Sequence, residues 1–282
     1  MNTKHDYKGA IAKIQNLNPS AMVFSRVYKL ISSPNVQLEQ VEDIIKLDTA
    51  LTANIIRLSN SGLLSGAMST VCLRDALSRL GLAEISRFLH LTISHSIFYR
   101  HLKYYRLSAY DFWSDSVSTA ILMELLSQRV TDDKSEAYTL GMLHAVGKLV
   151  INQVLEDLGT SSYWDQQSLV ETWEIELVGF TSFTAGALLL KAWGLPQVIC
   201  DTIENQCSLA KSPNPTKMLK MLNFCIRLLG RTGVDFSFEE WSFNESDPFL
   251  REFTISLEEL KKMVQEAKQK HREAQAILGI SN

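Results

Sequence analysis

The sequence predicts an all-α protein. Three observations carry this. Apolar residues recur at helical spacing along most of the chain, sustained strand-like alternation is scarce, and only six prolines interrupt 282 residues. Ser33-Pro34-Asn35 is a break, and Leu38, Val41, Ile44, Ile45 and Leu47 follow it at helical steps. Leu51, Ile55, Ile56 and Leu58 continue on a second helix, which Asn60-Ser61-Gly62 ends. Leu73, Ala76, Leu77 and Leu80 mark a third, with Gly81 where a C-terminal stop belongs. Residues 85–99 read as a buried helix, and Trp113, Val117, Ile121 and Leu125 make a stripe on the next. Thr131 to Ser135 reads as a loop. Leu140, Leu143, Gly147, Ile151, Val154 and Leu158 then share one helical face. Ser182 to Trp193 is helical and ends at Gly194-Leu195-Pro196, and a new helix starts at Gln197. Ser212-Pro213-Asn214-Pro215 is a loop. Met218, Met221, Leu222, Cys225 and Leu228 lie on the helix after it, which stops at Gly230.

The chain divides into a polar N-terminal segment (1–16), a helical domain (17–230), an aromatic-rich connector (231–255) and a C-terminal helix (256–282). Phe236, Phe238, Trp241, Phe243, Phe249 and Phe253 are too many aromatics to stay exposed in a monomer, so the connector is expected to pack on the main body. A short helix fits within it. Ser256 followed by Glu259 is a capping-box signature. The helix it opens carries Leu257, Leu260, Val264, Ala267, His271, Ala274 and Leu278, a seam of alternating three- and four-residue steps. That seam either docks on its own domain or forms a homodimer contact through residues 256–280.

Lys and Arg number 28 against 31 Asp and Glu, a net charge of −3. That balance argues against a general nucleic-acid binder, which carries a basic excess. Tyr104-Tyr105 with Arg100, Lys103 and Arg106 is a local basic and aromatic cluster, read as a solvated turn rather than a base-stacking platform. Four widely spaced cysteines, Cys72, Cys200, Cys207 and Cys225, form no CxxC pair and read as reduced core thiols. The N-terminus lacks the apolar stretch of a signal peptide, and no apolar run reaches membrane-spanning length. A cytoplasmic protein without membrane contact is expected.

His144 is the chemically suggestive residue. On a helix it lies beside Leu140, Gly147 and Ile151, a core-facing position, where a lone histidine is more often a satisfied core residue than a ligand. No phosphate-binding glycine loop is present, and Gly179-Phe180-Thr181-Ser182 is not a nucleophile elbow. Asn60-Ser61 reads as a helix stop rather than a ligand contact.

Four segments in order resemble the HDOD domain, the HD-related output domain of bacterial signalling proteins. Asp48-Thr49-Ala50-Leu51 with Ile56-Arg57-Leu58-Ser59-Asn60-Ser61 is similar to that family's "DPxL…LrlaNS" stretch. Asp75-Ala76 through Leu80-Gly81 is similar to "Ai..LG". Leu143-His144-Ala145-Val146-Gly147-Lys148-Leu149 is similar to "LLHdIGkl". Glu176, Gly179, Gly186 and Ala192-Trp193-Gly194-Leu195-Pro196 are similar to "E..lG…G..L…WgLP". The resemblance implies an HDOD/HD-like multi-helix domain with a C-terminal helical extension. It also implies kinship with the HD superfamily of metal-dependent phosphohydrolases.

The departures from that pattern define the functional expectation. Where metal-bearing relatives place ligands, this chain keeps His144 but has Ala145 for the paired aspartate, Asp115 and Ser182 for two histidines, and Gln206-Cys207 for a His-His pair. A catalytic metal needs about three protein ligands and an open position for water. His144, Asp115 and Cys207 make at best an improvised set, so neither a metal nor another cofactor is expected. The resemblance then implies a non-catalytic signalling module that acts through a protein partner in trans. One alternative is a metal-dependent phosphohydrolase acting on a nucleotide or phosphoester. Another is a small-anion sensor that uses a remnant pocket of Asp115, His144, Ala145, Lys148, Ser182, Gln206 and Cys207, with Lys148 and His144 as its polar contacts.

Overall fold

The computed structural model describes residues 36–46, 72–131, 133–230 and 245–278, with residues 9, 11, 12, 30, 52, 55, 56, 58–60 and 280. Most of the polar N-terminal segment, Asp48 to Leu51, Ser61 and the aromatics Phe236, Phe238, Trp241 and Phe243 lie outside the described residues. Ile11, within the N-terminal segment, is buried. Among the described residues the chain is helical, with an isolated bridge between Leu102 and Leu107 and no strand.

The helices are α1 (Leu38–Ile45), α2 (Leu73–Phe98), α3 (Ala109–Val130), α4 (Lys134–Leu143), α5 (Gly147–Leu158), α6 (Val170–Val178), α7 (Ser182–Ala192), α8 (Gln197–Asn205), α9 (Lys217–Leu229), α10 (Pro248–Glu252) and α11 (Leu257–Leu278). Gly81 breaks α2 with φ 74°, a left-handed conformation that glycine adopts without steric cost. The stop expected there is present, and a second helical stretch of α2 continues directly beyond it. Several helices start on side-chain caps. Ser108 and Asp111 cap α3 reciprocally, Asp133 accepts from the Glu136 N–H, and Thr216 accepts from the Leu219 N–H. The Asp133 cap shortens the expected 131–135 loop, because Lys134 and Ser135 already belong to α4.

Helix α3 is the centre of the molecule. The sequence suggested an apolar stripe, but residues 112–123 are buried on every side. Helices α2, α4, α9 and α11 all pack on it. Two of its buried hydroxyls bond back to the preceding turn: Ser116 to the Phe112 carbonyl at 3.1 Å and Thr119 to that of Asp115 at 2.8 Å.

The single face expected from Leu140 to Leu158 is broken. Residues 144–146 form a tight turn between α4 and α5, held by N–H bonds from Val146 to Leu143, Lys148 to Ala145 and Leu149 to Val146. These three-residue bonds replace the four-residue bonds of an α-helix, so the chain changes direction at His144. Leu158 ends up 45% exposed rather than on the buried face. Gly147 opens the helix that follows. A Cβ there would sit 1.7 Å from the Ser182 carbonyl oxygen, so α5 and α7 cross backbone against backbone.

The connector bears out the expected short helix as α10, where Phe249 stacks on Phe224 with ring centroids 4.3 Å apart. Ser256 and Glu259 form the expected capping box. The seam of α11 faces its own domain: Leu260, Val264, Ala267, His271 and Ala274 are buried, and α11 packs along α3. His271 Nε2 lies 3.0 Å from Ser114 Oγ, and the Gln275 amide donates to the Tyr110 hydroxyl. Of the four cysteines, all free, Cys200 and Cys225 are buried but Cys72 and Cys207 are exposed, which corrects the expectation of four core thiols. Among the described residues no single helix is long and apolar enough to cross a membrane. Helices α6 and α7 pass that test only as a pair, and they meet at 74°.

Two predictions follow from this packing. Gly147→Ala should cost about 3 kcal/mol or more, because the methyl group has only backbone to displace. Urea denaturation of the variant against the parent checks this. Burial lowers the pKa of His271 to about 4 from its ordinary 6.5. The unfolded chain therefore takes up a proton below pH 6.5 that the folded chain refuses. The destabilisation is absent above that pH and grows to about 3 kcal/mol by pH 4. Melting curves between pH 7 and 4.5 should fall more steeply for the parent than for His271→Gln. Parallel curves would show that His271 does not titrate across unfolding.

Candidate functional site

All seven residues of the expected remnant pocket line one cavity of about 400 Å³. Asp115 reaches it from the buried side of α3, and His144 and Ala145 from the α4–α5 turn. Lys148 comes from the first turn of α5, Ser182 from the start of α7, and Gln206 and Cys207 from the end of α8. Trp164, Leu169, Val170, Phe183 and Ile226 supply apolar wall, and Glu171 and Arg227 stand among them.

The polar floor is organised around one carboxylate oxygen. Asp115 Oδ2 is 3.4 Å from His144 Nε2 and 3.9 Å from Lys148 Nζ, and all three side chains are nearly buried. His144 Nδ1 donates to the Gly141 carbonyl at 2.8 Å, which turns Nε2 toward Asp115. Burial by itself would raise the Asp115 carboxyl. The charge and hydrogen bond of His144 and the charge of Lys148 outweigh it and hold the group below its ordinary value. Asp115 is therefore an ionised group neutralised from within the protein.

A glutamate that the sequence reading passed over lies beneath this floor. Glu176 was matched to the family pattern, yet it is exposed; Glu174 is the buried one. One Glu174 oxygen accepts from the Tyr105 hydroxyl at 2.6 Å and the other from the Ser182 N–H at 2.7 Å. Burial raises its carboxyl above the ordinary value, opposed by the Tyr105 and Ser182 hydrogen bonds and the Lys148 charge. Burial and the adjacent Glu174 raise the Tyr105 hydroxyl well above its own, so it remains a donor. The available signal was helical spacing, since Glu174 lies one turn before Val178 on the inward face of α6.

The Tyr104-Tyr105 cluster is not a solvated turn. It is a short 3₁₀ helix whose two rings are buried, Tyr105 edge-on to Trp164 and Trp173 and Tyr104 stacked on Tyr163. Neither ring lies open to stack on a base. Asn60 ends its helix with its N–H bonded to the Ile56 carbonyl, as expected.

The donor set does not fit a catalytic metal. Ala145 offers no donor. Cys207 reaches solvent at the cavity mouth, yet burial by the surrounding protein and the Glu171 charge push its thiol up to about 12. The Lys148 ammonium stands where a cation would compensate Asp115. Among the described residues no group of three His, Cys, Asp or Glu side chains converges closely enough to hold a metal ion.

One buried polar atom beside the cavity lacks a partner. Gln206 donates its amide to the His144 carbonyl at 2.9 Å, which fixes the amide orientation and leaves Oε1 unbonded. Ser182 Oγ sits against Glu174 and Tyr105, and its interaction lowers the pKa of both.

The family model for the HDOD domain matches residues 17–209. Three solved structures share the fold. An HDOD domain protein with unknown function from Geobacter sulfurreducens is 22% identical, with a TM-score of 0.66 over 96% of this chain and 97% of that one. A candidate signal transduction protein from Marinobacter aquaeolei VT8 is 22% identical, with a TM-score of 0.69 over 93% of this chain and 58% of that one. A candidate metal-dependent phosphohydrolase from Shewanella amazonensis SB2B is 20% identical, with a TM-score of 0.58 over 97% and 99%. At these identities the likeness shows the fold alone. An uncharacterized protein of Treponema pallidum (strain Nichols) is 23% identical over 224 residues, 72% of this chain but only 40% of that protein.

Glu174→Ala should destabilise the protein by about 2–4 kcal/mol, because it leaves the Ser182 N–H and the Tyr105 hydroxyl buried without an acceptor. Glu176→Ala should stay within about 0.5 kcal/mol of the parent. Equilibrium denaturation of both variants checks the pair. Equal losses would contradict the assignment of Glu174 as the structural carboxylate.

Proposed function

This chain belongs to the HDOD domain family, and from that premise we propose that it is a non-catalytic regulatory module of bacterial signal transduction, acting through contact with a protein partner. The observation that carries the reading is the Asp115–His144–Lys148 cluster. A phosphohydrolase of this lineage would need its carboxylate to hold a metal that activates water and offsets phosphate charge. Here the carboxylate is instead compensated by a histidine and an ammonium group of its own chain. Ala145 removes the bridging ligand, and the hydroxyl of Ser182 and the amide of Gln206 are weak donors to a divalent cation.

The proposal places the module in the cytoplasm, where the free thiols of Cys72, Cys200, Cys207 and Cys225 suit a reducing environment. The apolar seam of α11 is spent on α3, so contact with the partner falls to other surfaces.

Protein purified without chelator should contain only trace iron, manganese or zinc by elemental analysis. A nitrophenyl phosphodiester should show no turnover that depends on His144 when manganese, iron or magnesium is supplied. Near-stoichiometric metal that disappears in His144→Ala, accompanied by metal-dependent hydrolysis, would replace this reading with the phosphohydrolase.

A further inference from the structure

We propose that the basic turn at residues 100–106, between α2 and α3, is the surface that receives the protein partner, and that the partner presents an acidic segment whose carboxylates bracket an apolar side chain. The inference deepens the preceding reading and rests on it in one respect, that the module acts through contact with a protein.

Charge comes first. No Asp or Glu occurs between Glu84 and Asp111, whereas Arg100, Lys103 and Arg106 fall within the one turn. Many cations elsewhere are matched: Arg74 by Glu42, Arg129 by Glu259 and Lys220 by Glu252. Among the described residues, Arg100, Lys103 and Arg106 form no ion pair. Asp111, the next acid along the chain, accepts from the Ser108 N–H and hydroxyl. Asp165, two residues after Tyr163, accepts from the Gln167 and Ser168 N–H groups. Each acid is held locally and pairs with none of the three cations. Cations without counter-ions attract an anionic surface within about a Debye length, ~8–10 Å at physiological salt. Arg106 also stands at φ 54°, a left-handed conformation that glycine or asparagine occupies more cheaply. Strain of that kind collects at functional positions.

The turn is also tied down. Leu102 and Leu107 exchange backbone hydrogen bonds at 3.0 and 3.2 Å, and the Trp164 N–H donates to the Tyr104 carbonyl at 2.8 Å. The Gln166 amide donates to the Tyr105 and Arg106 carbonyls. A surface held this way loses little freedom on binding. Tyr163 lies against it, stacked on the buried Tyr104 and 37% exposed. Lys103 Nζ is 5.9 Å from the centre of the Tyr163 ring, and the Arg106 guanidinium carbon is 5.8 Å from it. An exposed ring with two cations beside it fits an apolar side chain set between carboxylates. A nucleic acid fits less well. Tyr163 gives one face to Tyr104, Tyr104 and Tyr105 are buried, and Tyr99 stacks on His95, so no run of open ring faces is offered to bases. The net charge of −3 argues the same way. Three cations also fall short of the roughly four to eight basic residues of an anionic-lipid site.

The test offers the intact chain four probes: a blocked peptide with leucine between pairs of glutamates, the same peptide with glutamine for every glutamate, an oligothymidylate, and vesicles of equimolar phosphatidylcholine and phosphatidylglycerol. Peptide and oligonucleotide binding is read from the backbone amide signals of residues 99–107 and Tyr163 in NMR titrations, and vesicle binding by co-sedimentation. The acidic peptide should shift those amides, bind about fivefold or more tighter than its glutamine version, and weaken as salt rises. Lys103→Gln and Arg106→Gln should each weaken it about two- to fivefold. Lys261→Gln, at an exposed position of α11, should leave it unchanged. Arg106→Gly removes the charge where the backbone favours glycine, and keeps the comparison open if Arg106→Gln does not fold. Equal binding of the two peptides, or no response at these amides, would overturn the surface. Tighter binding of the oligothymidylate, or vesicle binding that Arg106→Gln abolishes, would overturn the acidic-protein assignment. Metal content and hydrolysis separate these failures from failure of the preceding reading. A metal-loaded, hydrolysing protein refutes that reading, and a metal-free, inactive protein whose turn ignores the acidic peptide refutes only this one.

Discussion

At Gly147 a Cβ atom would lie 1.7 Å from the Ser182 carbonyl and 2.5 Å from the Gly186 nitrogen, so α5 and α7 meet without side chains between them. The rest of the cavity depends on this crossing. Just before it, at residues 144–146, the α-helix is interrupted, and His144 in that turn lies against Asp115. The crossing brings Lys148, one residue beyond the glycine, over the same carboxylate. It also sets the start of α7 where Glu174 can accept from the Ser182 N–H. A second close approach, at Gly141 against the Ala120 backbone, fixes α4 to α3 in the same way. Tight backbone packing thus converts two ordinary helical hairpins into one polar floor.

That floor is an electrostatic compromise. A buried carboxylate with no compensation costs several kcal/mol in lost hydration. A metal ion is one remedy, and it brings open coordination positions and reactivity with it. A histidine and an ammonium group are another, and they bring neither. Asp115 takes the second course and remains ionised despite its burial. Glu174, one layer further in, has hydrogen bonds but no contacting cation, and burial carries its carboxyl in the opposite direction. The carboxyl in contact with His144 and Lys148 is held below its ordinary value, and the one held by hydrogen bonds alone is raised above it.

Much of this was legible in the sequence, for reasons that differ by residue. The positions of Asp115, His144, Ala145, Lys148, Ser182, Gln206 and Cys207 followed from the resemblance to the HDOD pattern, and one cavity collects all of them. The capping box at Ser256 and the seam of α11 were local patterns with local causes. The break at His144 was not legible, because Leu140, Leu143, Gly147 and Ile151 keep helical spacing across it. Next to it Gly147 meets the distant backbone of Ser182, a tertiary contact that spacing along the chain does not reveal. Burial of α3 on all sides was hidden for a similar reason, since residues such as Ser116 and Thr119 look polar until their hydroxyls bond to their own helix. Glu174 was missed because two glutamates flank Ile175, and the motif match selected the exposed one.

Helix α3 carries the two halves of the protein's polar chemistry on adjacent residues. Ser114 faces outward to His271 on α11, and Asp115 faces inward to His144 and Lys148. Consecutive residues on a helix point about 100° apart, so one backbone segment serves the docked C-terminal helix and the cavity at once. Movement of α3 along or about its axis would disturb both contacts together. The burial of α3 on all sides resists such movement, since its neighbours α2, α4, α9 and α11 would each have to repack. The same rigidity means that an influence of the cavity carried through α3 needs a change in how α3 is packed. Coupling of that kind requires two discrete packings of the helix rather than a gradual deformation.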